Sequence, residues 1–168
     1  RNIIAENRWK MILQGLGVTV EIAFFSILIG TVIGIVMCLM RISKNRLLQG
    51  IAGAYIGIIR GTPMVTQLLL IYFGVFAAAD VSKIFIAVVA FSINSGAYVA
   101  EIFRSGIQGV DIGQTEAGRS LGLSRWQTMS RIVMPQAFKN ILPTYTNEFI
   151  VLIKETAIVG YIAIEDLT

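Results

Sequence analysis

The sequence predicts an all-α integral membrane protein, and three observations support this prediction. Of the 168 residues, 55% are hydrophobic and only 14% are charged. Two stretches of 19 residues, 22–40 and 61–79, contain no charged side chain. A third uncharged stretch, 84–100, is 17 residues long. An uncharged run of about 18 or more residues is typical of a helix that crosses a bilayer. The composition therefore excludes disorder and argues against a soluble domain.

The amino-acid inventory also excludes several kinds of site. The chain has no histidine, and its one cysteine, Cys38, lies inside the first apolar run. Disulfide frameworks, zinc sites and other metal sites of that kind, and histidine-based catalysis are therefore excluded. The net charge of +4 comes from basic residues that lie between the apolar segments, as membrane orientation signals do. This placement predicts contact with membrane lipid and no nucleic acid partner.

The first span is expected to begin near Trp9, whose ring suits a membrane interface, and to run to about Met40. Gly30 and Gly34 form a G-x-x-x-G pair, which lets a neighbouring helix approach closely. The alternative is that these two glycines reflect only the ordinary glycine content of a membrane helix. Three cations in the loop 41–46 predict a cytoplasmic position for that loop, so the first helix enters the membrane from outside.

The second helical region is expected to begin at about Leu47 and to be interrupted at Pro63. Its glycines form two small-x-x-x-small pairs: Gly53, Gly57 and Gly61. Because proline removes a backbone donor, the carbonyls that it frees need neighbouring protein or water at membrane depth. Two interpretations stay open. The break lines a cavity, with Thr66 and Gln67 one turn later, or it is a kink at the cytoplasmic interface from which Arg60 reaches lipid headgroups.

A short outer turn over 79–83 leads to a third helix, which is expected to run from about Ile84 to Gly109. The second half of this helix carries polar side chains at spacings of four and three residues, which places them on one face: Asn94, Tyr98 and Glu101. An ionisable group inside a span usually faces a cavity, a partner or a pathway. For Glu101 the alternative is a structural ion pair with Arg104 at the i,i+3 spacing.

Residues 110–135 are polar and interrupt the membrane pattern. Asp111 with Gln114, and Ser124 with Gln127, have the spacing of a helix capping box. They predict two short helices separated by Gly122, because glycine favours the end of a helix. A helix–glycine–helix element on the cytoplasmic surface suits insertion into a groove of a soluble partner. An inert interfacial helix is the alternative.

The fourth region re-enters the membrane at about Gln136. A proline and four polar side chains interrupt its apolar pattern: Pro143, Asn147, Glu148, Lys154 and Glu155. We expect this region to be broken or to line a cavity. Glu148 and Glu155 lie seven residues apart and therefore share a helical face. Glu148 is the predicted functional residue. Glu155 is expected to lie near the outer surface, where its carboxylate is solvated and has no functional role.

The loop also carries a family resemblance. The run Glu116-Ala117-Gly118, then three residues, Gly122, nine residues and the segment 132–135 resembles the EAA loop of the membrane subunits of ABC importers. Glycine stands in place of the third motif residue, and methionine in place of the usual leucine. Three further segments resemble the polar amino acid branch of that family, of the histidine, arginine and glutamine type: 60–63, 94–104 and 147–150. Asp111 stands where the family pattern has proline.

The resemblance implies a MetI-like permease helix bundle with about five spans, of which this chain would hold about four, and a cytoplasmic coupling helix. We interpret 1–168 as a single permease domain that is a piece of a longer product, because it begins at Arg1 rather than methionine and ends at Thr168 without a closing helix. The coupling residues would be Glu116, Ala117, Gly118 and Gly122. The substrate path would be lined by Thr66, Asn94, Tyr98, Glu101 and Glu148.

The resemblance also implies partners and a location. Such permeases work in pairs, as homodimers or heterodimers, in the plasma (inner) membrane of bacteria or archaea, with two cytoplasmic ABC ATPase subunits and an extracytoplasmic amino acid-binding protein. The chain contains no G-x-x-x-x-G-K-[ST] phosphate loop. We therefore expect the partner ATPase to bind ATP and Mg²⁺, and the chain itself to hold no cofactor and to be no enzyme.

The leading hypothesis is the permease subunit of an ATP-driven importer of polar, possibly basic, amino acids. A proton- or ion-coupled secondary transporter is the alternative, with Glu21, Glu101 and Glu148 as protonation sites. The EAA-like loop discriminates between them, because a carrier that acts alone has no use for it. A third hypothesis is an inert membrane anchor whose polar residues serve helix packing. It leaves three embedded glutamates unexplained.

Overall fold

The computed structural model describes residues 8–77 and 80–165, and the regular secondary structure of these two ranges is helical throughout. The prediction of an all-α protein is confirmed. The two chain ends that we interpret as truncated lie outside the described residues, as does Ala79 in the predicted outer turn. The helices are α1 Arg8–Ile42, α2 Arg46–Gly61, α3 Met64–Leu70, α4 Lys83–Gln108, α5 Ile112–Ser120, α6 Arg125–Thr128 and α7 Met134–Glu165. Two π-helical turns, Ile71–Val75 and Met129–Val133, follow α3 and α6.

Two helices are long and apolar enough to cross a membrane among the described residues. They are α1, over Ile12–Ile42, and α4; the bent pair of α2 with the segment Met64–Val75 adds a third if it is counted as one span. α1 contains 35 residues and is about 52 Å long at 1.5 Å per residue. That length exceeds the roughly 30 Å of a hydrocarbon core, so the helix crosses with a tilt or extends beyond it.

α7 is the helix of the predicted fourth region. It is 32 residues long, but its polar and charged side chains keep it from the apolar composition of the two clear spans. The helix is continuous although Pro143 lies inside it, so the fourth region is not broken, and its lining of a cavity stays a prediction. The physical reason is that proline removes only its own N–H, so that a single carbonyl, that of Lys139, loses its helical partner.

Glycines on α1 allow a close helix crossing in the bundle core. A Cβ atom on Gly30 would lie 2.9 Å from Cβ of Ser95, and one on Gly34 would lie 2.6 Å from Cγ1 of Val99. Both distances are shorter than a contact between carbon atoms allows. The prediction that this G-x-x-x-G pair admits a neighbouring helix is confirmed, and the neighbour is α4.

The hydrophobic core lies between α1, α4 and α7. Phe91 of α4 is fully buried and packs with Ile22 and Ile27 of α1 and with Leu152 of α7. Polar contacts also join α1 to α7, because the Thr31 and Tyr145 hydroxyls lie 2.6 Å apart. These contacts place the inner faces of α4 and α7 side by side.

The glycines of α2 do not form a second packing surface within the described part of the chain. An added Cβ at Gly57 or Gly61 would meet no atom within 4 Å, and one at Gly53 would meet only the guanidinium of Arg41. α2 instead packs through other residues, among them Tyr55, whose hydroxyl donates to the carbonyl of Ile93 at 2.5 Å.

Candidate functional site

The chain bends by 107° between α2 and α3, where the sequence predicts a break. Pro63 precedes the first residue of α3 and has no N–H to donate to the carbonyl of Ile59, one turn back in α2. The side chain of Gln67 replaces this donor: Nε2 donates to the Ile59 carbonyl at 2.6 Å and to the Thr62 carbonyl at 3.0 Å. Neighbouring protein therefore supplies the donors for these two carbonyls. The sequence predicts either neighbouring protein or water in this role.

The bend is held against α4 by a second amide. Nδ2 of Asn94 donates to Oε1 of Gln67 at 3.1 Å. Both side chains are buried, with 4% of Asn94 and 6% of Gln67 exposed. Asn94 therefore lies at the junction of α3 and α4, and its amide already has one protein partner.

Arg60 also contacts α4. Its guanidinium lies over the ring of Tyr98, 5.3 Å from the ring centroid, which is a cation–π distance. Neither open interpretation of the break included this contact. Arg60 is also close enough to Glu101 and Glu148 for their charges to interact.

Glu101 forms the ion pair that was the alternative interpretation of this residue. Both of its carboxylate oxygens accept hydrogen bonds from the Arg104 guanidinium, the longer one at 2.9 Å from Nε. Arg104 also donates to Oε1 of Gln108. A bidentate pair of this kind favours a permanently ionised carboxylate. The ion pair does not test whether Glu101 also lines the substrate path, so that role stays a prediction.

Glu148 lies half-buried on α7, and its charge interacts with those of Glu155 and Arg60. Arg60 and Tyr98 bring α2 and α4 together, and Glu148 on α7 lies within range of the Arg60 charge. Thr66 is exposed on α3, whereas its neighbour Gln67 is buried. The structure therefore places Tyr98 against Arg60, and Glu101 and Glu148 within range of the Arg60 charge. Thr66, exposed on α3, makes no hydrogen bond to these residues within the described part of the chain.

Arg60 and Gln67 are the residues that our list of site residues missed. Arg60 had a usable signal, because it is an arginine close to the start of an uncharged run. Gln67 had a weaker one: an amide one turn after a proline is a plausible donor to the freed carbonyls. No sequence pattern pairs Gln67 with Asn94, which lies 27 residues away.

α7 also presents an exposed polar face. Four of its exposed polar residues lie at spacings of four, three and seven, which places them on one side of the helix: Asn140, Thr144, Asn147 and Lys154. Polar side chains are expensive in lipid, so a membrane helix usually turns such a face toward water or protein.

The polar loop folds as two short helices around Gly122, as predicted. Gly122 has φ of 82°, a left-handed conformation that favours glycine. The N–H of Gly122 donates to the Arg119 carbonyl at 3.0 Å, and the N–H of Leu123 donates to the Gly118 carbonyl at 3.2 Å. These two bonds form a Schellman motif, which ends α5.

One of the two predicted capping boxes is present. Ser124 Oγ accepts from the N–H of Gln127, and the Gln127 side chain accepts from the N–H of Ser124. The Asp111–Gln114 box was wrong, because Asp111 caps α5 by accepting from Gly113 at 2.8 Å. The side chain of Gln114 instead accepts from Nε2 of Gln136 at 3.2 Å, at the start of α7.

The two halves of the loop pack closely and leave apolar side chains outside. A Cβ atom on Gly118 would lie 2.8 Å from both Cγ2 of Thr128 and Cδ1 of Ile132, so glycine permits this contact. Around it, Leu121 is 80% exposed and Trp126 is 77% exposed. Of the four predicted coupling residues, Gly118 is buried; the exposed ones are Glu116, Ala117 and Gly122.

Comparison with known families identifies this arrangement. The sequence profile of the family described as "Binding-protein-dependent transport system inner membrane component" matches residues 8–168. The chain belongs to this family. The permease is therefore a membrane protein, and the resemblance found in its loop and in its three further segments is confirmed at the level of the family.

Curated relatives are similar over most of the permease. The arginine transport system permease protein ArtQ of Bacillus subtilis is 45% identical over 158 residues, which are 93% of this chain and 72% of that protein. The putative glutamine transport system permease protein GlnP of Rickettsia bellii is 42% identical over the same shares of the two chains. The nopaline transport system permease protein NocM of Agrobacterium fabrum is 39% identical over 94% of this chain and 70% of that protein.

Solved structures share the fold of the permease. A chain of an amino acid ABC transporter crystallised with histidines has a TM-score of 0.89 and 42% identity, covering 97% of this chain and 77% of that one. A chain of the inward-facing MetNI methionine ABC transporter has a TM-score of 0.75 at 20% identity, over 95% of this chain and 77% of that one. The second likeness concerns the fold alone, and it agrees with the predicted MetI-like bundle.

Proposed function

We propose that the chain is the transmembrane permease subunit of an ATP-driven ABC importer of polar amino acids, in a multi-pass arrangement in the plasma membrane of a bacterium or archaeon. The observation that carries the proposal is the exposed helix–glycine–helix element of residues 110–135 in a chain that has no phosphate loop of its own. A transporter of this design needs a partner that hydrolyses ATP and a surface on which that partner docks. The relatives named for arginine and glutamine transport support the class of substrate.

The docking surface would be the outside of the loop. Leu121 and Trp126 are large, apolar and exposed on it, and Arg119 and Arg125 lie beside them in sequence. Aromatic and arginine side chains are enriched at protein interfaces, so this surface suits a groove on the ATPase subunit. Glu116, Ala117, Gly118 and Gly122 would set its shape and transmit the closure of the ATPases to the helices as a rigid-body movement.

The substrate path would follow the wall that α2, α3, α4 and α7 form. Arg60, stacked on Tyr98, offers a cation to the carboxylate of an amino acid, and Glu148 offers a carboxylate to its ammonium or to a basic side chain. Glu101 and Asn94 belong to the same wall, and Thr66 lies on the exposed side of α3. The polar face of α7 would turn toward a second permease subunit, so that the substrate passes between the two.

A proton-coupled carrier receives less support from these contacts. The bidentate bond of Glu101 with Arg104 favours an ionised Glu101, and Glu21 is exposed on the apolar helix α1. Glu148 is then the remaining candidate for a proton carrier. An exposed loop of the family's coupling type would have no role in such a protein.

Reconstitution separates the two functions. The permease would be purified with its ATPase subunits, placed in proteoliposomes and supplied with the extracytoplasmic binding protein and labelled arginine or glutamine. We expect uptake that requires ATP on the ATPase side and all partners. Uptake driven by a proton or sodium gradient, with the permease alone and without ATP, would contradict the proposal and support the carrier.

A further inference from the structure

The side-chain amide of Gln67 joins two parts of the fold. Its nitrogen donates to the carbonyls of Ile59 and Thr62 and, at 2.8 Å, to the hydroxyl of Thr62. Its oxygen accepts from Asn94 at 3.1 Å. Gln67 is 6% exposed, so solvent cannot readily replace these partners.

The polarity of this network is fixed by the bend. Pro63 lacks an N–H, and Thr62 reaches the Ile59 carbonyl only with long contacts, 3.5 Å from its N–H and 3.4 Å from its hydroxyl. The Gln67 NH₂ group, at 2.6 Å, is the closest donor to this carbonyl, so Gln67 turns its NH₂ group toward it. The oxygen of Gln67 then faces α4, and Asn94 has to donate to it. A flipped Gln67 amide would place two acceptors against each other at the Ile59 carbonyl and two donors against each other at Asn94.

Two contacts therefore tie the bend to one face of α4. Gln67 binds Asn94, and Arg60 stacks on Tyr98, one helical turn further along α4. Arg60 also follows Ile59 directly in the chain, and the Ile59 carbonyl is the closest partner of the Gln67 amide. The orientation of the Arg60 side chain thus depends on the same short segment that Gln67 holds.

We propose that Gln67 is a positioning residue, which fixes the α2–α3 bend on α4 and so places Arg60 over Tyr98 on the wall of the substrate path. Asn94 acts through Gln67 and does not bind the substrate itself. This inference rests on the proposed function where its test measures uptake of an amino acid. The other measurement, hydrogen exchange of the bend, does not depend on transport.

The test uses the permease assembled with its ATPase and binding protein in proteoliposomes, with labelled L-arginine as the probe. The variants are Gln67→Leu, Asn94→Leu and the two combined. Gln49→Leu is the matched control, because the Gln49 amide also donates to a backbone carbonyl, that of Ser43, at the other end of α2. The apparent KM and the maximal rate of ATP-driven uptake are measured, together with hydrogen exchange of peptides that cover 59–68.

We expect each single variant at Gln67 or Asn94 to raise the apparent KM about tenfold, because the bend no longer holds Arg60 in place; tenfold corresponds to about 1.4 kcal/mol. The bend should exchange faster in both, and the control should match the wild type. The double variant should be no worse than Gln67→Leu alone, because Asn94 has no separate contribution. Gln67→Glu keeps the size of the side chain and an acceptor oxygen but loses both N–H donors. It replaces Gln67→Leu in the test if the Gln67→Leu complex does not assemble.

Two results would overturn the inference: fold-changes that multiply in the double variant, as for an Asn94 that binds substrate independently, or wild-type exchange of the bend in Gln67→Leu and Gln67→Glu. A wild-type complex that takes up no arginine and no glutamine with ATP would instead contradict the proposed function. Hydrogen exchange would still decide whether Gln67 holds the bend.

Discussion

At the scale of single residues, Gly122 is constrained by its backbone and not by its surroundings. An added Cβ would meet nothing within 4 Å, but the φ of 82° lies in the left-handed region. For a residue other than glycine this conformation costs roughly 1–2 kcal/mol, and asparagine tolerates it best among common side chains. Substitutions at this position can therefore separate the free-energy cost of the left-handed backbone from the effect of side-chain size.

We predict that ATPase binding falls in the order wild type, Gly122→Asn, Gly122→Val, Gly122→Trp. Asparagine tests the backbone alone, valine adds a β-branched side chain, and tryptophan adds bulk on the exposed docking surface. The amount of ATPase that co-purifies with the permease and the rate of uptake per ATP hydrolysed measure the effect. Membrane insertion should stay intact in all three. If Gly122→Trp transports normally with its ATPase bound, the docking role of this loop is wrong.

Glu148 and Glu101 are both predicted to line the substrate path. Substitution of Glu148 tests this prediction more directly, because in the described part of the chain it breaks no ion pair with a neighbouring arginine of the kind that Glu101 makes. Glutamine at Glu101 leaves the Arg104 guanidinium without its carboxylate partner. Glu148→Gln should reduce arginine uptake roughly tenfold or more, since a hydrogen bond to a charged group contributes about 1.5–3 kcal/mol. Uptake of glutamine should fall much less.

Uptake of both amino acids, with the binding protein at saturation, would measure this difference. An equal loss for arginine and glutamine would mean a structural glutamate. No loss for either amino acid would remove Glu148 from the path. Glu101→Gln is the companion variant, and a general loss of uptake there would reflect the broken ion pair with Arg104.

At the scale of helices, the crossing of α1 and α4 depends on two glycines. Gly34→Leu should weaken the packing of the two helices, because even its Cβ would lie 3.0 Å from the Ala100 nitrogen and closer still to Val99. Overpacking of this kind typically costs about 1–3 kcal/mol. The thermal unfolding of the detergent-solubilised protein measures the loss. Gly17→Leu is the control on the same helix, since an added Cβ there meets nothing within 4 Å, and equal destabilisation by both variants would contradict the packing role.

The sequence predicted the helices of this protein better than their contacts. Uncharged runs located α1 and α4, and Gly122 located the turn between α5 and α6, because each signal lies within a few consecutive residues. Proline signals were less reliable. Pro63 bends the chain by 107°, whereas Pro143 lies inside a continuous helix, and only the packing of the whole bundle decides between these outcomes.

The candidate site was predicted in part for the same reason. Tyr98 and Glu101 were placed on one helical face by spacing alone, and the alternative ion pair of Glu101 with Arg104 was visible at i,i+3. Gln67 was named only as a residue near the break, and its role was not predicted, because its partners include two backbone carbonyls and an asparagine on another helix. A sequence pattern carries no information on which distant backbone groups lack a donor.

At the scale of the whole molecule, two exposed faces should differ in what covers them. Asn147 lies on the polar face of α7, and Leu28 lies on the apolar face of α1; both are exposed in the single chain. We expect water at the first face and lipid at the second. Cysteine introduced at position 147 should therefore react with a charged thiosulfonate reagent, and cysteine introduced at position 28 should not.

The background for this experiment is Cys38→Ala, which removes the one native cysteine, itself buried. Labelling is measured in membranes that contain the assembled complex, with and without saturating amino acid. Substrate should protect position 147 if α7 lines the path. Equal reactivity at the two positions would mean that the face of α7 is not a water-filled path.

The glycine contacts between α1 and α4 also set an order of events during synthesis. In the chain, 65 residues separate Gly30 from Ser95, its partner in the crossing. A ribosome that adds about 5–20 residues per second makes that stretch in roughly 3–13 s. α1 therefore stays in the membrane for seconds with its glycine face open before α4 is available. The loop around Gly122 has no such delay, because its hydrogen-bond partners all lie within 22 residues of one another, so it can fold as soon as it leaves the ribosome.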